Sequence, residues 1–328
     1  MKFTLKKSVS RSGLTVAASL AMLCTFPSVA HADALAQAVL RVSSFTVTAS
    51  NPALVNITDI DGSGLASVIL NGTANTTGIV PALPNGTYNG MTSVGPGYAP
   101  GLPITGPAAT GTLSSNYAGG AFSVTGSSVL PGGATALADS TISLVPRGSG
   151  NSFSNLENSF GFNFSTGGTQ TISFAFQAQQ FIRAFLSGNP ILAGSNANAS
   201  TNFQLAITGN DGINTGNFFS WDSSSIGVYS NGATGSITAS AFNLNNGVSI
   251  TRGNPTGSVP PNPAGGFQTG LFAANVRLVQ GNYSLSITQK ANSGARIDVP
   301  EPGSLALVGL SLVGLAAVGR RRAMRQAA

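Results

Sequence analysis

The chain has 328 residues, 42% of them hydrophobic and 7% charged, with a formal net charge of +6. The charged share is low, because about a quarter of the residues in a typical globular protein are charged. Eight of the fifteen basic residues lie before residue 12 or after residue 319, which leaves seven basic and nine acidic side chains in residues 33–302. This excess of acid excludes a basic surface for nucleic acid, and no nucleic-acid partner is predicted.

The N-terminus has the pattern of a secretory signal peptide over residues 1–32. Basic residues precede the apolar residues 14–26, and Ala30 and Ala32 are small residues at the positions that a signal peptidase reads. We therefore expect export, with signal peptidase as a partner and a mature chain that begins at Asp33.

Cleavage there removes Cys24 and His31, the one cysteine and the one histidine of the chain. A Ser-His-Asp triad, a cysteine nucleophile, a His-ligated zinc site and a disulfide are then excluded from the mature protein. Cys24 could instead mark a lipoprotein, but Leu23 stands before it where a small residue is needed.

Residues 33–298 are predicted to form a secreted all-β domain, an antiparallel β-sandwich. Glycine has about twice its usual share, and short stretches of alternating apolar residues are divided by Gly, Asn and Pro. Either one or two β domains fit this pattern. The predicted strands are residues 40–48, 54–60, 65–70, 121–125, 141–145, 203–208, 236–242, 248–251, 267–273 and 283–288.

The clearest pattern predicts a β-hairpin over residues 160–178. Phe162 and Phe164 alternate with smaller residues, a Gly-Gly turn follows, and Phe174 and Phe176 resume the alternation. Because alternate residues of a strand share a face, we expect these aromatic side chains in a core.

Two segments between the predicted strands are rich in glycine and proline. Residues 78–120 contain six prolines among glycines, which predicts a long loop or linker without regular strands. This segment either follows an N-terminal subdomain or is an excursion from one continuous sandwich. Residues 253–266 predict a shorter surface loop.

A weak calcium candidate consists of Asp59, Asp61 and Ser63. They occupy positions 1, 3 and 5 of a calcium loop, and Gly64 occupies position 6. Position 12, where a bidentate glutamate belongs, is Leu70, so a turn between two strands is the favoured interpretation. No other metal and no cofactor is predicted.

Trp221, Asp222 and Tyr229 are a candidate sugar platform. The rings could stack on a sugar and Asp222 could bond its hydroxyls, although core packing is more usual for such a cluster. A glycosidase needs two paired carboxylates, and nothing in the spacing of the acidic residues pairs any two of them. We therefore expect no enzymatic activity, and a glycan-active enzyme is the least favoured alternative.

The C-terminal residues 299–325 combine a proline-rich motif, an apolar run and a group of arginines. The uncharged residues 303–318 span about 24 Å as a helix, a little less than the roughly 30 Å of a bilayer core. With the arginines as a cationic stop, residues 303–319 are predicted to be a single transmembrane helix. The motif residues are Pro300, Glu301, Pro302, Arg320, Arg321 and Arg322.

This arrangement resembles the PEP-CTERM sorting signal. The resemblance implies that the protein is a substrate of exosortase, a membrane-embedded cysteine transpeptidase that cuts near the motif and passes the protein to the cell surface or the exopolysaccharide matrix. Residues 155–186 and 281–285 also resemble a PEP-CTERM surface-protein type with an EDSA-like motif. Glu157, Asn158 and Ser159 depart from that motif, and the type implies no known activity.

The sequence thus predicts an exported structural protein of the cell surface or of the exopolysaccharide or biofilm matrix, anchored transiently in the membrane. Its expected partners are exosortase, signal peptidase and the membrane, with exopolysaccharide as a further candidate. A carbohydrate-binding surface module is the alternative.

Overall fold

The computed structural model describes residues 32–79, 85–95, 117–127, 132–144, 149–188, 194–224, 226–251 and 267–298, together with residues 310, 311 and 314. Contacts divide the chain into Met1–Ala30 and His31–Ala328, and all described residues belong to the second unit. The predicted signal peptide lies outside the described residues apart from Ala32. The predicted loop at residues 253–266 also lies outside them.

Fifteen strands account for most of the described residues, which confirms the all-β prediction. A short 3₁₀ turn, Pro52–Leu54, joins the first two strands. The strands are β1 (Ala32–Ala49), β2 (Val55–Leu70), β3 (Thr73–Ile79), β4 (Asn85–Val94), β5 (Tyr117–Ser127), β6 (Gly132–Leu144), β7 (Ser149–Thr166), β8 (Gln170–Gly188), β9 (Asn196–Asn210), β10 (Thr215–Trp221), β11 (Val228–Tyr229), β12 (Thr234–Thr238), β13 (Asn246–Thr251), β14 (Gln268–Leu278) and β15 (Gly281–Asp298).

The strands form two antiparallel sheets whose inner faces share one core. Sheet A has seven strands in the order β12-β14-β8-β1-β6-β5-β4. Sheet B has eight, in the order β11-β10-β9-β15-β7-β2-β3, with β13 paired to β9. The longest strands, β1, β7, β8 and β15, have 18 or 19 residues, which corresponds to about 60 Å.

β7 and β8 do not form the predicted hairpin. β7 pairs with β15 and β2 in sheet B, whereas β8 pairs with β1 and β14 in sheet A, so residues 167–169 cross between the sheets. The aromatic part of the prediction is confirmed, because Phe162, Phe164, Phe174 and Phe176 are all buried in the shared core. The pairing is wrong because alternation determines which face of a strand is buried and not which strand lies beside it.

Residues 78–120 contain a strand that the sequence does not predict. β4 occupies residues 85–94 and pairs with β5 at the edge of sheet A. Pro84 and Pro96 flank β4, and no proline lies inside it, so its hydrogen-bonding ladder is intact. Residues 96–116 lie outside the described residues.

The aromatic section of the core lies at one end of the long strands. Phe176 is its centre: its ring centroid is 5.0 Å from that of Phe203, 5.3 Å from that of Phe272 and 5.8 Å from that of Trp221. Phe176 and Phe272 come from sheet A, whereas Phe203 and Trp221 come from sheet B. Large rings therefore fill the space between the sheets here.

Further along the same strands the inner faces carry small side chains. We call this part the alanine section, and its alanines are less than 3% exposed. Leu156 and Ile182 are the larger members of the same cluster. The alanines are Ala36, Ala38, Ala66, Ala136, Ala138, Ala199 and Ala291.

An amide belt separates the two sections. Asn158 of sheet B donates to the backbone oxygen of Thr135 in sheet A at 3.0 Å, and Gln289 of sheet B donates to the backbone oxygens of Leu40 and Ala134 in sheet A. Bonds from side chains of one sheet to the backbone of the other require the two sheets to lie close together. The small residues of the alanine section permit that approach.

β1 begins and β15 ends at the same end of the sandwich, which we call the tail end. Ala34, the third residue of β1, and Ile297, the last but one of β15, belong to one buried cluster. The aromatic section lies toward the opposite end, where β15 begins at Gly281.

Candidate functional site

Asp298, the last residue of β15, joins the folded domain to the C-terminal segment. Its backbone N–H donates to the Ser195 hydroxyl at 2.9 Å, and that hydroxyl donates to the Asp298 carbonyl oxygen at 3.3 Å. The Asp298 carboxylate forms an ion pair with Arg296 at 3.2 Å. These bonds hold the last residue of β15 against the residue that precedes β9.

The predicted sorting residues Pro300, Glu301, Pro302 and Arg320 to Arg322 lie outside the described residues. Of the predicted helix at 303–319, Leu310, Ser311 and Gly314 are described, and each is helical. Among the described residues, no helix has the length and hydrophobicity that a membrane span requires.

Asp59 and Asp61 lie at a β-bulge within a single strand. β2 pairs with β7 on both sides of Asp59 and Ile60, and these two residues together lie opposite one residue of β7. Asp59 has a φ of 47°, in the left-handed region. The prediction of two strands, 54–60 and 65–70, with a turn between them is therefore wrong, because the bulge accommodates the extra residue and the ladder continues.

The candidate calcium ligands have protein partners of their own. Asn163 Nδ2 donates to the Asp59 carboxylate at 3.3 Å, and the hydroxyls of Ser63 and Ser159 are 2.7 Å apart. Within the described residues, no group of three or more His, Cys, Asp or Glu side chains could hold a metal ion. The geometry thus adds nothing to the weak calcium prediction.

A shallow depression of about 420 Å³ opens beside the bulge on the outer face of sheet B. Its floor is at Gly161, where a Cβ atom would lie 2.8 Å from the backbone oxygen of Leu285. Asp61, Ser284 and Ser286 are among the residues around it. The missing side chain at residue 161 therefore creates the depression.

The structure places Trp221 in the core rather than on a sugar-binding surface. Its side chain is 1% exposed, and its indole Nε1–H donates to the backbone oxygen of Ser224 at 2.7 Å. A bulge in β10 between Asn217 and Phe219 turns the neighbouring Phe218 and Phe219 inward together with it. The platform prediction is corrected here, because a buried ring cannot stack on a sugar.

The other two platform residues, Asp222 and Tyr229, do not form an exposed aromatic surface. Asp222 is exposed and accepts a hydrogen bond from the Ser224 backbone N–H at 3.1 Å. Tyr229 packs against Phe219 with ring centroids 4.9 Å apart, and burial raises the pKa of its phenol above the usual value. Both residues therefore support the local chain around the core.

Three further carboxylates are held by different partners. Glu157 forms an ion pair with Lys290 at 2.9 Å, and Gln37 donates to Asp139 at 3.0 Å. Asp211 accepts hydrogen bonds in its own turn, chiefly from Asn214, and these bonds lower its pKa below the usual value. The arrangement therefore gives these acids local structural roles.

Neither the amide belt nor the depression is among the sites predicted from the sequence. Gln289 of the belt and the outward-facing Gln179 are both glutamines in strands, and only the tertiary structure separates their roles. For the depression, a glycine between Phe160 and Phe162 inside a strand pattern is a local signal of close backbone approach.

The chain is thus a β-sandwich protein whose last central strand leads directly into a C-terminal segment. Residues 298–322 match the family model described as the PEP-CTERM protein-sorting motif. The chain carries a PEP-CTERM sorting domain, which supports sorting by exosortase to the cell surface. The stretches that resemble the EDSA-motif type lie outside the matched residues. Comparison with curated proteins and with solved structures finds no match.

Proposed function

We propose that this protein is a non-enzymatic structural component of the cell surface or extracellular matrix. After removal of residues 1–32 it is held in the membrane by residues 303–319 until exosortase cuts near Pro300, Glu301 and Pro302. The β-sandwich is then left outside the cell.

One observation carries this proposal: β15, the last of the described strands, ends where the sorting motif begins. β15 lies between β7 and β9 and runs to Asp298, the first residue of the matched segment. A cut beyond Asp298 leaves every strand of both sheets in the released domain. Processing therefore need not expose the core.

The position of the predicted mature N-terminus is consistent with the same sequence of events. Cleavage after Ala32 leaves Asp33 as the second residue of β1, where it pairs with Ser143 and Ser187. Cleavage at the two ends then removes only Ala32 from the β-strands at the tail end.

The test replaces Pro300, Glu301 and Pro302 together with alanine in the native host. We expect this variant to accumulate as an uncut membrane precursor, because the donor-poor extended segment and its carboxylate are what the enzyme would recognise. The mass and location of each form are measured by mass spectrometry and cell fractionation. A matched control replaces Pro260, Pro261 and Pro263 with alanine and is expected to be processed like the wild type.

The outcomes separate sorting from simple anchoring. Equal processing of the triple variant and the wild type would contradict recognition of the motif. A wild type that stays uncut would leave a single-span anchored protein.

A further inference from the structure

We propose that the outer face of sheet B is a binding surface for a neutral, hydroxyl-rich polysaccharide. We call this surface, formed by the outward side chains of β9, β15, β7 and β2, the polar face. The proposed matrix role suggests the source of such a polymer, but the binding surface is argued from the described residues alone.

The polar face carries hydroxyl and amide groups in register across its strands. Ser284 of β15 lies beside Thr208 of β9 and Asn163 of β7. Two residues further along β15, Ser286 lies beside Ala206 and residue 161, which carry no polar group, and the row after that places Thr288 beside Gln204 of β9 and Ser159 of β7. Because outward side chains recur every second residue, such rows repeat about every 7 Å along the strands.

Most of these groups are free to bind a ligand. Within the described part of the chain, the side chains of Asn282, Ser284, Ser286 and Thr288 have no hydrogen-bond partner, and all four are exposed or half-buried. Each can donate to and accept from a polyol. A line of free hydroxyl and amide groups along one strand therefore suits a polymer with regularly spaced hydroxyls.

The charges of the polar face select an uncharged partner. Lys290 is paired with Glu157 at 2.9 Å, and Arg296 is paired with Asp298 at 3.2 Å. The acidic Asp59 and Asp61 lie beside the depression without a cation of this face paired to them. Carboxylates accept hydrogen bonds from sugar hydroxyls but repel a polyanion, so the partner is a neutral glycan.

Two further features of the polar face suit a polymer better than a single sugar. The depression at Gly161 can receive a ring edge, and Phe153 of the same strand is 39% exposed beside Gly294, which has no side chain to cover it. Residues 153 and 161 are eight positions apart on one face of β7, or about 27 Å. An aromatic ring and a hydrogen-bonding depression at this separation fit an extended chain.

The test measures binding of full-length protein, purified in a detergent without a sugar headgroup, to dextran, mannan and galactomannan. Affinity electrophoresis with each polysaccharide in the gel gives the dissociation constant. The double variant Ser284→Ala/Ser286→Ala is expected to bind about 25-fold more weakly, since each lost hydrogen bond is worth about fivefold. Phe153→Ala is expected to weaken binding by a similar or smaller factor.

The matched control is Thr234→Ala/Thr238→Ala, which removes two exposed hydroxyls from β12 in sheet A. It is expected to bind like the wild type, and thermal unfolding checks that all variants are folded. Failure of the wild type to bind any of the three polysaccharides overturns the proposal, and so does equal weakening by the control. Stronger binding to alginate, a polyuronate, overturns the choice of a neutral partner. The assay needs no exosortase, so its failure is distinct from failure of the sorting proposal.

Discussion

The aromatic and alanine sections fill the same space between the same two sheets in opposite ways. In the aromatic section, rings from both sheets pack around Phe176. In the alanine section, the sheets lie close enough for Ser140 Oγ of sheet A to donate to the backbone oxygen of Ser293 in sheet B at 3.3 Å. One sandwich is thus stabilised by large buried surfaces at one end and by close backbone approach at the other.

Truncation in the aromatic section is expected to have the largest effect. Phe174 is fully buried, so Phe174→Ala should lower the free energy of unfolding by about 3 to 5 kcal/mol through lost contacts and the cavity left behind. Urea denaturation of residues 33–298 measures the change. A loss of less than about 0.5 kcal/mol would show that this face is in solvent.

Removal of a bridge in the amide belt is expected to cost less. Gln289→Ala removes the side-chain hydrogen bonds to the backbone oxygens of Leu40 and Ala134, which should lower the free energy of unfolding by about 1 to 3 kcal/mol. Asn292→Ala on the outer face of the same strand is the control and should change stability by less than about 0.5 kcal/mol. The same denaturation experiment compares the two variants. Equal losses of stability would show that the hydrogen bonds of the amide belt do not stabilise the fold.

A larger side chain in the alanine section is expected to destabilise the fold. Alanine has almost no side chain to truncate, so the test enlarges it instead. Ala38 is fully buried between the sheets, and Ala38→Leu should lower the free energy of unfolding by about 1 to 3 kcal/mol because the sheets must separate. The outward Ala206→Leu is the control. An unchanged or increased stability of Ala38→Leu would mean that the sheets are not in close contact there.

The smallest effect concerns the pH dependence of the aromatic section. Burial, and then the charge of Asp211, raise the pKa of Tyr283 from 10.0 to about 12, and its hydroxyl donates to the Val279 oxygen at 3.0 Å. A raised folded pKa gives stability that is present below pH 10 and lost as the pH rises toward 12. Unfolding free energies of wild type and Tyr283→Phe should therefore converge above pH 10. Parallel pH profiles would contradict this.

The sequence predicts the aromatic section better than the alanine section. Residues 40–48, 203–208 and 283–288 are predicted strands, and each lies within a longer observed strand that continues toward the tail end. The missed parts have inward residues such as Ala36, Ala199 and Ala291, which contrast little with their polar neighbours. Alternation is visible in a sequence only where the buried side chains are large.

Some features of the candidate site can be predicted from contiguous sequence, and others depend on the tertiary structure. The sorting motif could be identified from sequence because its proline, apolar and arginine features are contiguous. Trp221 was ambiguous because the bulge in β10, which turns it inward with its neighbours, depends on pairing with β9. The polar face depends on the register of four strands and has no contiguous signature.

The position of β15 determines how the domain bears a mechanical load applied through its tail. β15 pairs along nearly its full length with β7 on one side and β9 on the other. A pull on Asp298 along the strand axis loads both ladders in shear, so many backbone hydrogen bonds resist together instead of opening one at a time. The bonds of Asp298 to Ser195 and Arg296 further stabilise the residue to which the force is applied. A domain attached through this strand is therefore suited to remaining folded under tension.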